Sequence, residues 1–221
     1  MGREFLYYSL YEGYSHLQLS ILQKTIAFFD FDGTITHKDT MLEFIKFSKG
    51  KSNYIIGMAI LSPSLVLMKL GLLSNKVAKE RMLGYFFSGT NVDDFDQSCQ
   101  HFINQKMPSL IRIDAMNKIK EHQANGNEVV VVSASAENWM SGWCISNGLK
   151  VIATKLEVIN NKITGKLAGE NCNGIEKVNR IRQMYDPADY DAIYCYGDTE
   201  GDQPMLQIAT HPFYRLFDQW S

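Results

Sequence analysis

The feature that most constrains the fold is an apolar run that ends directly in two acidic residues. Residues 25–32 read TIAFFDFD, so four apolar side chains, from Ile26 to Phe29, are followed by Asp30 and Asp32. A continuous apolar run of this length is typical of a strand buried on both faces, as in a parallel sheet. The two acids at its end predict a ligand-binding site at this edge of the sheet, because ligands of open α/β sheets bind beyond the carboxyl ends of the strands.

From residue 128 onward, strand and helix patterns alternate along the chain. The predicted strands are EVVVVSAS (128–135), KVIAT (150–154), DAIYCYGD (191–198) and FYRLF (213–217), and a hairpin over 156–167 is predicted to turn at Asn160 and Asn161. The predicted helices cover 136–147, 174–185 and 203–209, the second with Ile175, Val178, Ile181 and Met184 facing inward. This alternation predicts an α/β fold with a parallel sheet, right-handed crossovers and helices on both faces.

Between the first two strands lies a segment with helical patterns only, roughly residues 40–108. The predicted helices run from about Met41 to Gly50, through the apolar stretch 54–73, and over 75–87 and 92–106. Pro108 is predicted to open a further amphipathic helix with one apolar face, formed by Leu110, Ile111, Ile113, Met116 and Ile119. We therefore expect a core made of residues 24–39 and 109–221, a helical insertion over 40–108, and an extension of unclear role over 1–23.

The apolar stretch YIIGMAILSPSLVLMKLGLL, residues 54–73, is long enough to span a membrane, which takes about 20 predominantly apolar residues. Pro63, flanked by serines, interrupts it, and Lys69 breaks its second half. These interruptions favour a hairpin of two short helices over a span. Peripheral contact with a membrane, or coverage of a pocket, remains open for this stretch.

Composition excludes several other classes. The net charge is −2 and no basic run is present, so the electrostatic footprint of a nucleic-acid-binding protein is missing. The four cysteines include no Cys-x-x-Cys pair, which disfavours a zinc site and favours reduced, buried thiols. The first 23 residues lack the features of a secretory signal. We expect a cytoplasmic protein, with membrane association left open.

Several polar residues follow predicted strands and are therefore expected to converge at one edge of the sheet. They are Asp30, Asp32, Ser133, Asp198 and Asp202. Carboxylates crowded together resist ionisation, and a divalent cation relieves this; an all-oxygen set favours Mg²⁺. A carboxylate beside Mg²⁺ can attack phosphorus, with Ser133 suited to donate to a phosphoryl oxygen and Lys177 suited to offset negative charge.

Four segments resemble, in order and placement, the four motifs of the haloacid dehalogenase superfamily. They are DFDGT (30–34), VVVVSAS with Ser133, GIEK with Lys177, and GDTEGD with Asp198 and Asp202. The resemblance implies a Rossmann-like core, Asp30 as nucleophile and Asp32 as general acid and base. It also implies Mg²⁺ held by Asp30, the backbone carbonyl of Asp32 and Asp198, while Asp202 orients the metal shell or Lys177.

The insertion resembles the type 1 helical cap of the subfamily that holds phosphoserine phosphatases and phosphatidylglycerophosphatase-type enzymes. Three departures from phosphoserine phosphatases concern groups that would hold an amino-acid substrate: the run Ser133-Ala134-Ser135, Gly201 and Asp39. Thr34, Asp39 and Ala134 are the expected substrate contacts, and Asp39 fits equally well as the N-cap of the helix that follows it.

These observations predict a Mg²⁺-dependent phosphatase that forms an aspartyl-phosphate on a small phosphorylated metabolite or a phospholipid head group. Phosphoserine phosphatase activity is the nearest alternative. A receiver-like phosphoacceptor is disfavoured because the predicted third strand, KVIAT, ends without an acid. A non-catalytic module that binds lipid or a partner is the other alternative, although no essential acid is missing.

Overall fold

The architecture comes from a computed structural model that describes residues 24–218. The predicted extension over residues 1–23 lies outside the described residues. Five parallel strands form the main sheet in the order β3-β2-β1-β6-β7: β1 Thr25–Phe29, β2 Glu128–Ala136, β3 Lys150–Thr154, β6 Ala192–Gly197 and β7 His211–Tyr214. A separate antiparallel hairpin consists of β4 Leu156–Ile159 and β5 Lys162–Leu167. The predicted parallel sheet is confirmed.

Strand β1 lies at the centre of the sheet, which explains its apolar sequence. Phe29 pairs with Val131 of β2 on one side and with Tyr196 of β6 on the other. Its neighbour Phe28 points to the opposite face, where its ring meets that of Tyr185 edge-on. Both side chains are almost fully buried. The last hydrogen bond of this strand, from Asp30 N to Tyr196 O, fixes the backbone of the first acid.

Eight α-helices are described. They are α1 Thr40–Lys49, α2 Lys51–Lys69, α3 Asn75–Phe87, α4 Val92–Gln105, α5 Ile113–Ala124, α6 Ser141–Ser146, α7 Ile175–Met184 and α8 Gln203–Gln207. Helices α7 and α8 pack on the face of the sheet that contains Phe28, through Ile181, Met205 and Leu206. Helix α5 packs on the opposite face through Ala115 and Ile119, so that the sheet is covered on both sides.

The helices between β1 and β2 are held together by aromatic rings around Phe44 of α1. This ring contacts four others, those of Phe87, Phe95, Phe102 and Trp139. Trp139 follows β2, so the cluster joins the helical segment to the sheet. Aromatic pairs of this kind contribute about 0.5–1.5 kcal/mol each beyond the burial of their surface.

The apolar stretch 54–73 does not form two short helices, and that prediction is wrong. A single helix, α2, runs through Pro63 without ending. Pro63 has no N–H to donate to the carbonyl of Ala59, but the hydroxyl of Ser62 donates to that oxygen at 2.8 Å. Because Pro63 lies on the exposed side of the helix, its ring displaces no packed neighbour.

Two predicted helix faces also differ from the structure. A short 3₁₀ turn at Met107–Ser109 precedes α5, which begins only at Ile113, and Ile113 itself is exposed. The backbone of residues 111 and 112 instead pairs with that of residues 35 and 36. In α7, Val178 and Ile181 are buried as predicted, whereas Ile175 and Met184 are exposed because they occupy the two ends of the helix.

The hairpin turns at Asn160 and Asn161 as predicted, and both residues have positive φ. Although it follows β3 in the chain, it packs against the helical segment. The backbone of Ile163 exchanges hydrogen bonds with Gly89 and Thr90, and Val92 N donates to Asn161 O. A Cβ atom at Gly165, whose φ is +87°, would overlap with the backbone of Gly84 in α3.

We therefore expect Gly165→Ala to destabilise the protein more than Gly169→Ala does. Gly169 also has a positive φ, +97°, but a Cβ there meets no atom within 4 Å. Both substitutions force alanine into the left-handed region, and only the first adds a clash, worth about 1–3 kcal/mol. Urea unfolding of the two variants measures the difference. Equal losses of free energy of unfolding would show that the approach of β5 to α3 is not tight.

Candidate active site

Lys177 occupies the centre of the predicted site. It projects from the first turn of α7, is only 1% exposed, and donates to Asp30 Oδ1, to Asp202 Oδ1 at 2.6 Å and to Val132 O at 2.8 Å. Burial alone lowers the pKa of Lys177, but the carboxylates of Asp30 and Asp202 outweigh it and raise the pKa above its usual value. The lysine is therefore a fixed positive charge.

Asp30 lies directly after β1 and is buried. Burial raises the pKa of its carboxyl well above the usual value; Lys177 opposes this, while the charges of Asp202 and Asp32 add to it. One ammonium group thus faces more negative charge than it can balance. Without a further cation, the ionised form of Asp30 is disfavoured.

Asp202 orients the loop that follows β6. Its Oδ2 accepts hydrogen bonds from Thr199 N at 2.9 Å, Thr199 Oγ1 at 2.8 Å and Asp198 N at 3.2 Å. Hydrogen bonds to both of its oxygens thus fix the carboxylate in place. Asp202 thus contacts both Lys177 and the backbone of Asp198, and its orienting role stays a prediction that these contacts permit.

Asp198 faces the other side of the loop and is half-buried. Its Oδ1 accepts a hydrogen bond from Thr34 Oγ1 at 3.0 Å. Burial raises the pKa of Asp198, and the bond from Thr34 opposes that rise. Gly33 approaches this carboxylate so closely, at φ +89°, that a side chain there would overlap with it. Glycine is required at this point of the DFDGT motif.

The acidic residues fit a divalent cation. One carboxylate oxygen from each of Asp30, Asp198 and Asp202 lies within 4.8 Å of the others. All three are hard oxygen donors, the class that Mg²⁺ prefers. Among the described residues, hydrogen bonds occupy both carboxylate oxygens of Asp202 but only one oxygen each of Asp30 and Asp198. The side chains that could hold the cation are therefore those of Asp30 and Asp198.

Asp32 points toward the helical segment. Its Oδ1 accepts hydrogen bonds from Thr40 N and Thr40 Oγ1, both at 2.6 Å, and its Oδ2 accepts one from Ser135 Oγ at 2.5 Å. Thr40 is the first residue of α1 and is itself contacted by Trp139 Nε1 at 3.2 Å. The second acid of the motif is thus placed at a helix N-terminus, where negative charge is favoured.

Asp39 caps α1, since its Oδ1 accepts a hydrogen bond from Leu42 N at 2.9 Å. The residue also lines the cavity above the acids. The residue is exposed to solvent, and partial desolvation by the cavity, followed by the charge of Asp32, raises the pKa of its carboxyl. The N-cap prediction is confirmed, and contact with a substrate stays a prediction that this position permits.

The remaining predicted residues differ in their access to the cavity. Ser133 is fully buried, and its Oγ accepts a hydrogen bond from Ser135 N at 3.0 Å. The wall at this point is formed by Ala134 and Ser135. Thr34 is also buried, with its hydroxyl bonded to Asp198. Of the three expected substrate contacts, Asp39 and Ala134 line the cavity, whereas Thr34 supports Asp198 from behind.

Sequence reasoning missed Lys79, which reaches the site from α3. Its Nζ donates to Ala134 O and to Asn171 Oδ1, both at 2.9 Å, and it lines the cavity. Burial lowers the pKa of this lysine. A single lysine in a helix gives no signal that it is buried. Ser135 and Thr40 were also missed as partners of Asp32.

The cavity above the acids has a volume of about 700 Å³. Its floor contains Asp30, Asp32 and Asp198, and lysines 38, 69 and 79 lie on its walls. The upper wall is apolar and is formed by α1, α2 and α3, through Met41, Leu42, Met58, Leu65, Met68 and Met82. The cavity thus combines a charged floor with an apolar roof.

The chain is similar in sequence to known proteins. Residues 27–207 match the family model of haloacid dehalogenase-like hydrolases. The chain is 34% identical over 191 residues to protein CicA of Caulobacter vibrioides. The aligned residues make up 86% of this chain and 85% of that protein. It is 28% identical over 194 residues to a Mycobacterium tuberculosis protein named as a probable phosphatase, covering 85% of this chain and 67% of that protein.

Solved structures agree with the fold. A Bordetella pertussis protein of unknown function superposes with a TM-score of 0.74 at 21% identity, over 85% of this chain and 88% of that one. A phosphoserine phosphatase with an analogue of its phospho-aspartyl intermediate superposes with a TM-score of 0.62 at 18% identity, over 85% and 84% of the two chains. The chain belongs to the haloacid dehalogenase-like hydrolase family.

Proposed function

We propose that this protein is a Mg²⁺-dependent phosphatase that hydrolyses a phosphate monoester through an aspartyl-phosphate on Asp30. The observation that carries the proposal is the buried group in which Lys177 contacts both Asp30 and Asp202 beneath an open cavity. The family assignment supports it over a receiver-like phosphoacceptor or a non-catalytic module.

Each step uses side chains at the floor of the cavity. An oxygen of Asp30 bonds to phosphorus as the bond from phosphorus to the ester oxygen breaks, and Asp32 gives that oxygen a proton. Asp32 then takes a proton from a water whose oxygen attacks phosphorus, which releases inorganic phosphate and restores the carboxylate of Asp30. Ser133 would donate to a phosphoryl oxygen after a small local rearrangement, and Lys177 offsets negative charge.

A bound Mg²⁺ would be held by Asp30, Asp198 and the carbonyl of Asp32, and would polarise the phosphoryl group while offsetting its charge. Asp202 would act on this site through its hydrogen bonds to the backbone of Asp198 and to Lys177. The cation would offset the charges of Asp202 and Asp32, which add to the effect of burial in raising the pKa of Asp30.

The apolar roof favours a substrate whose alcohol is partly apolar, such as a lipid head-group phosphate. Met58, Leu65 and Met68 of α2 would contact that apolar part, and Lys79 would lie beside its polar part. A small phosphorylated metabolite is the alternative. Phosphoserine phosphatases among the structural neighbours support that alternative. Asp39 and Ser135, however, belong to the positions at which this chain departs from phosphoserine phosphatases.

We expect Asp30→Asn to lower kcat for p-nitrophenyl phosphate by about 10³-fold or more, because it removes the covalent nucleophile. Asp114→Asn, at an exposed acid of α5, is the matched control and should retain full activity. Steady-state phosphate release measures both. A loss of less than tenfold in Asp30→Asn would exclude Asp30 as the nucleophile.

Metal removal provides a second test. We expect EDTA to abolish turnover and excess Mg²⁺ to restore it, and Mg²⁺ to raise Tm because it binds a site that only the folded protein forms. Differential scanning fluorimetry of Asp198→Asn should show a smaller shift, since one ligand is lost. Turnover that is indifferent to EDTA, or an equal Tm shift in Asp198→Asn, contradicts this metal site.

The substrate preference is tested by comparing kcat/KM for phosphoserine, phosphoethanolamine, sugar phosphates, phosphatidylglycerophosphate and alkyl phosphates of increasing length. We expect kcat/KM to rise with apolar length by roughly fourfold per buried methylene. Leu65→Gln should reduce that increase, whereas Ile159→Gln, at an exposed site on the hairpin, should not. A large preference for phosphoserine would overturn the apolar assignment.

A further inference from the structure

Helix α2 is apolar on two opposite sides. One stripe faces the rest of the protein and packs against the core or lines the cavity; it consists of Tyr54, Gly57, Met58, Leu61, Leu65 and Met68. The opposite stripe, called the outer stripe below, consists of Ile55, Ile56, Ile60, Val66, Leu67 and Leu70. An ordinary surface helix has a polar face in that position. Packing within the protein accounts for the apolar residues of the first stripe, called the inner stripe below, but not for those of the outer stripe.

The outer stripe is exposed to an unusual degree. All of its members except Leu67 are more than half exposed, and so is Leu72, just beyond the helix. No side chain among residues 24–218 covers this stripe. Helix α2 also has the length and composition of a membrane-crossing helix. A continuous exposed apolar surface marks a site of interaction with a membrane or another molecule.

The charged residues within the segment that contains α2 are all of one sign. Between Phe44 and Lys79 the sequence contains six lysines and neither aspartate nor glutamate, at positions 46, 49, 51, 69, 76 and 79. Lys51 is the first residue of α2 and Lys69 its last, and Lys49 ends α1, with its ammonium group 4.7 Å from the centroid of the Phe87 ring. These three form no ion pair with the carboxylates of the described residues. An apolar surface with lysines at both ends complements an anionic lipid surface.

We propose that α2 docks in the plane of an anionic bilayer surface, with the outer stripe at the acyl boundary and Lys51 and Lys69 beside lipid phosphates. Each charge then meets an opposite one, and the exposed apolar side chains leave water. The docking itself does not depend on catalysis.

The packing of α2 favours this orientation over a membrane span. Gly57 lies so close to the rings of Tyr85 and Phe86 that a side chain there would overlap with them. Tyr54, Leu61 and Leu65 pack against the main core cluster. A spanning helix would have to give up all of these contacts, whereas a helix lying on the surface keeps them and buries only its outer stripe.

A second copy of the chain is a poorer match for the outer stripe. Two copies of α2 packed in antiparallel orientation would place the lysines of opposite helix ends side by side. The segment contains no acid that could pair with them. Like charges brought together in this way oppose association.

Docking would also bear on the substrate, and this one consequence rests on the proposed function. The inner stripe of α2 lines the cavity through Met58, Leu65 and Met68. A docked helix therefore brings the cavity within about one helix diameter, roughly 10–12 Å, of the lipid head groups. A phosphate monoester carried by a lipid would be within reach of the site without leaving the bilayer.

Co-sedimentation of the full chain with sucrose-loaded vesicles tests the docking. We expect binding to equal mixtures of phosphatidylglycerol and phosphatidylcholine, weaker binding to phosphatidylcholine alone, and a loss of binding to the mixture as salt rises toward about 1 M. The variant Ile56→Gln/Ile60→Gln/Leu67→Gln should bind the mixture about tenfold or more weakly. Alkaline carbonate should release the bound protein.

The control variant is Ile113→Gln/Ile145→Gln/Ile175→Gln, which changes three exposed isoleucines away from α2 and should bind normally. The outer-stripe variant should retain activity on p-nitrophenyl phosphate, which separates a failure of docking from a failure of the proposed catalysis. Circular dichroism checks folding, with Ile60→Gln alone as the milder variant.

Three results would overturn the proposal. They are an absence of binding to the anionic vesicles, equal binding by the outer-stripe and control variants, and retention of the protein after carbonate treatment. A dimer in light scattering that the outer-stripe substitutions convert to monomer, without vesicle binding, would assign the stripe to self-association instead.

Discussion

The rest of the site depends on the buried contact of Lys177 with Asp30 and Asp202. Removing one partner from such a group costs about 3–5 kcal/mol, because the remaining charge stays buried without compensation. The lysine also donates to Val132 O, so a single ammonium group connects the ends of β1 and β2 with the loop after β6. The same contact that holds three segments together sets the charge available for chemistry at Asp30.

Much of this arrangement could be predicted because it follows from the ends of parallel strands. The apolar segment before Asp30 and the segment before Asp198 are adjacent strands, so their acids had to meet at one edge. Long-range contacts from the helical segment could not be found in this way. In the sequence Lys79 is an ordinary helical lysine, and only the fold brings it to Ala134. Pro63 predicts a helix break, but the helix continues, and the hydroxyl of Ser62 donates to the carbonyl of Ala59 that Pro63 leaves without a backbone donor.

Polar and apolar surfaces meet at the cavity for a physical reason. The sheet edge supplies backbone groups and acids that need charge compensation, while the roof formed by α1, α2 and α3 presents methionine and leucine side chains, against which a bound substrate would displace water. Electrostatic interactions strengthen as water is excluded. Methionine side chains adapt to irregular shapes, so the roof suits an alcohol of variable form. Asp32, bonded to Thr40, lies where the two surfaces join.

The hairpin β4–β5 limits how separable the helical segment is from the rest of the chain. Backbone hydrogen bonds join it to residues 89–92, and Gly165 contacts Gly84, although the hairpin follows β3 in the sequence. Excising residues 40–108 would therefore strip the hairpin of its packing surface. Recombination between relatives at the boundaries of residues 40–108 alone would separate the hairpin from the surface against which it packs. A working chimera would need the hairpin to be exchanged together with residues 40–108.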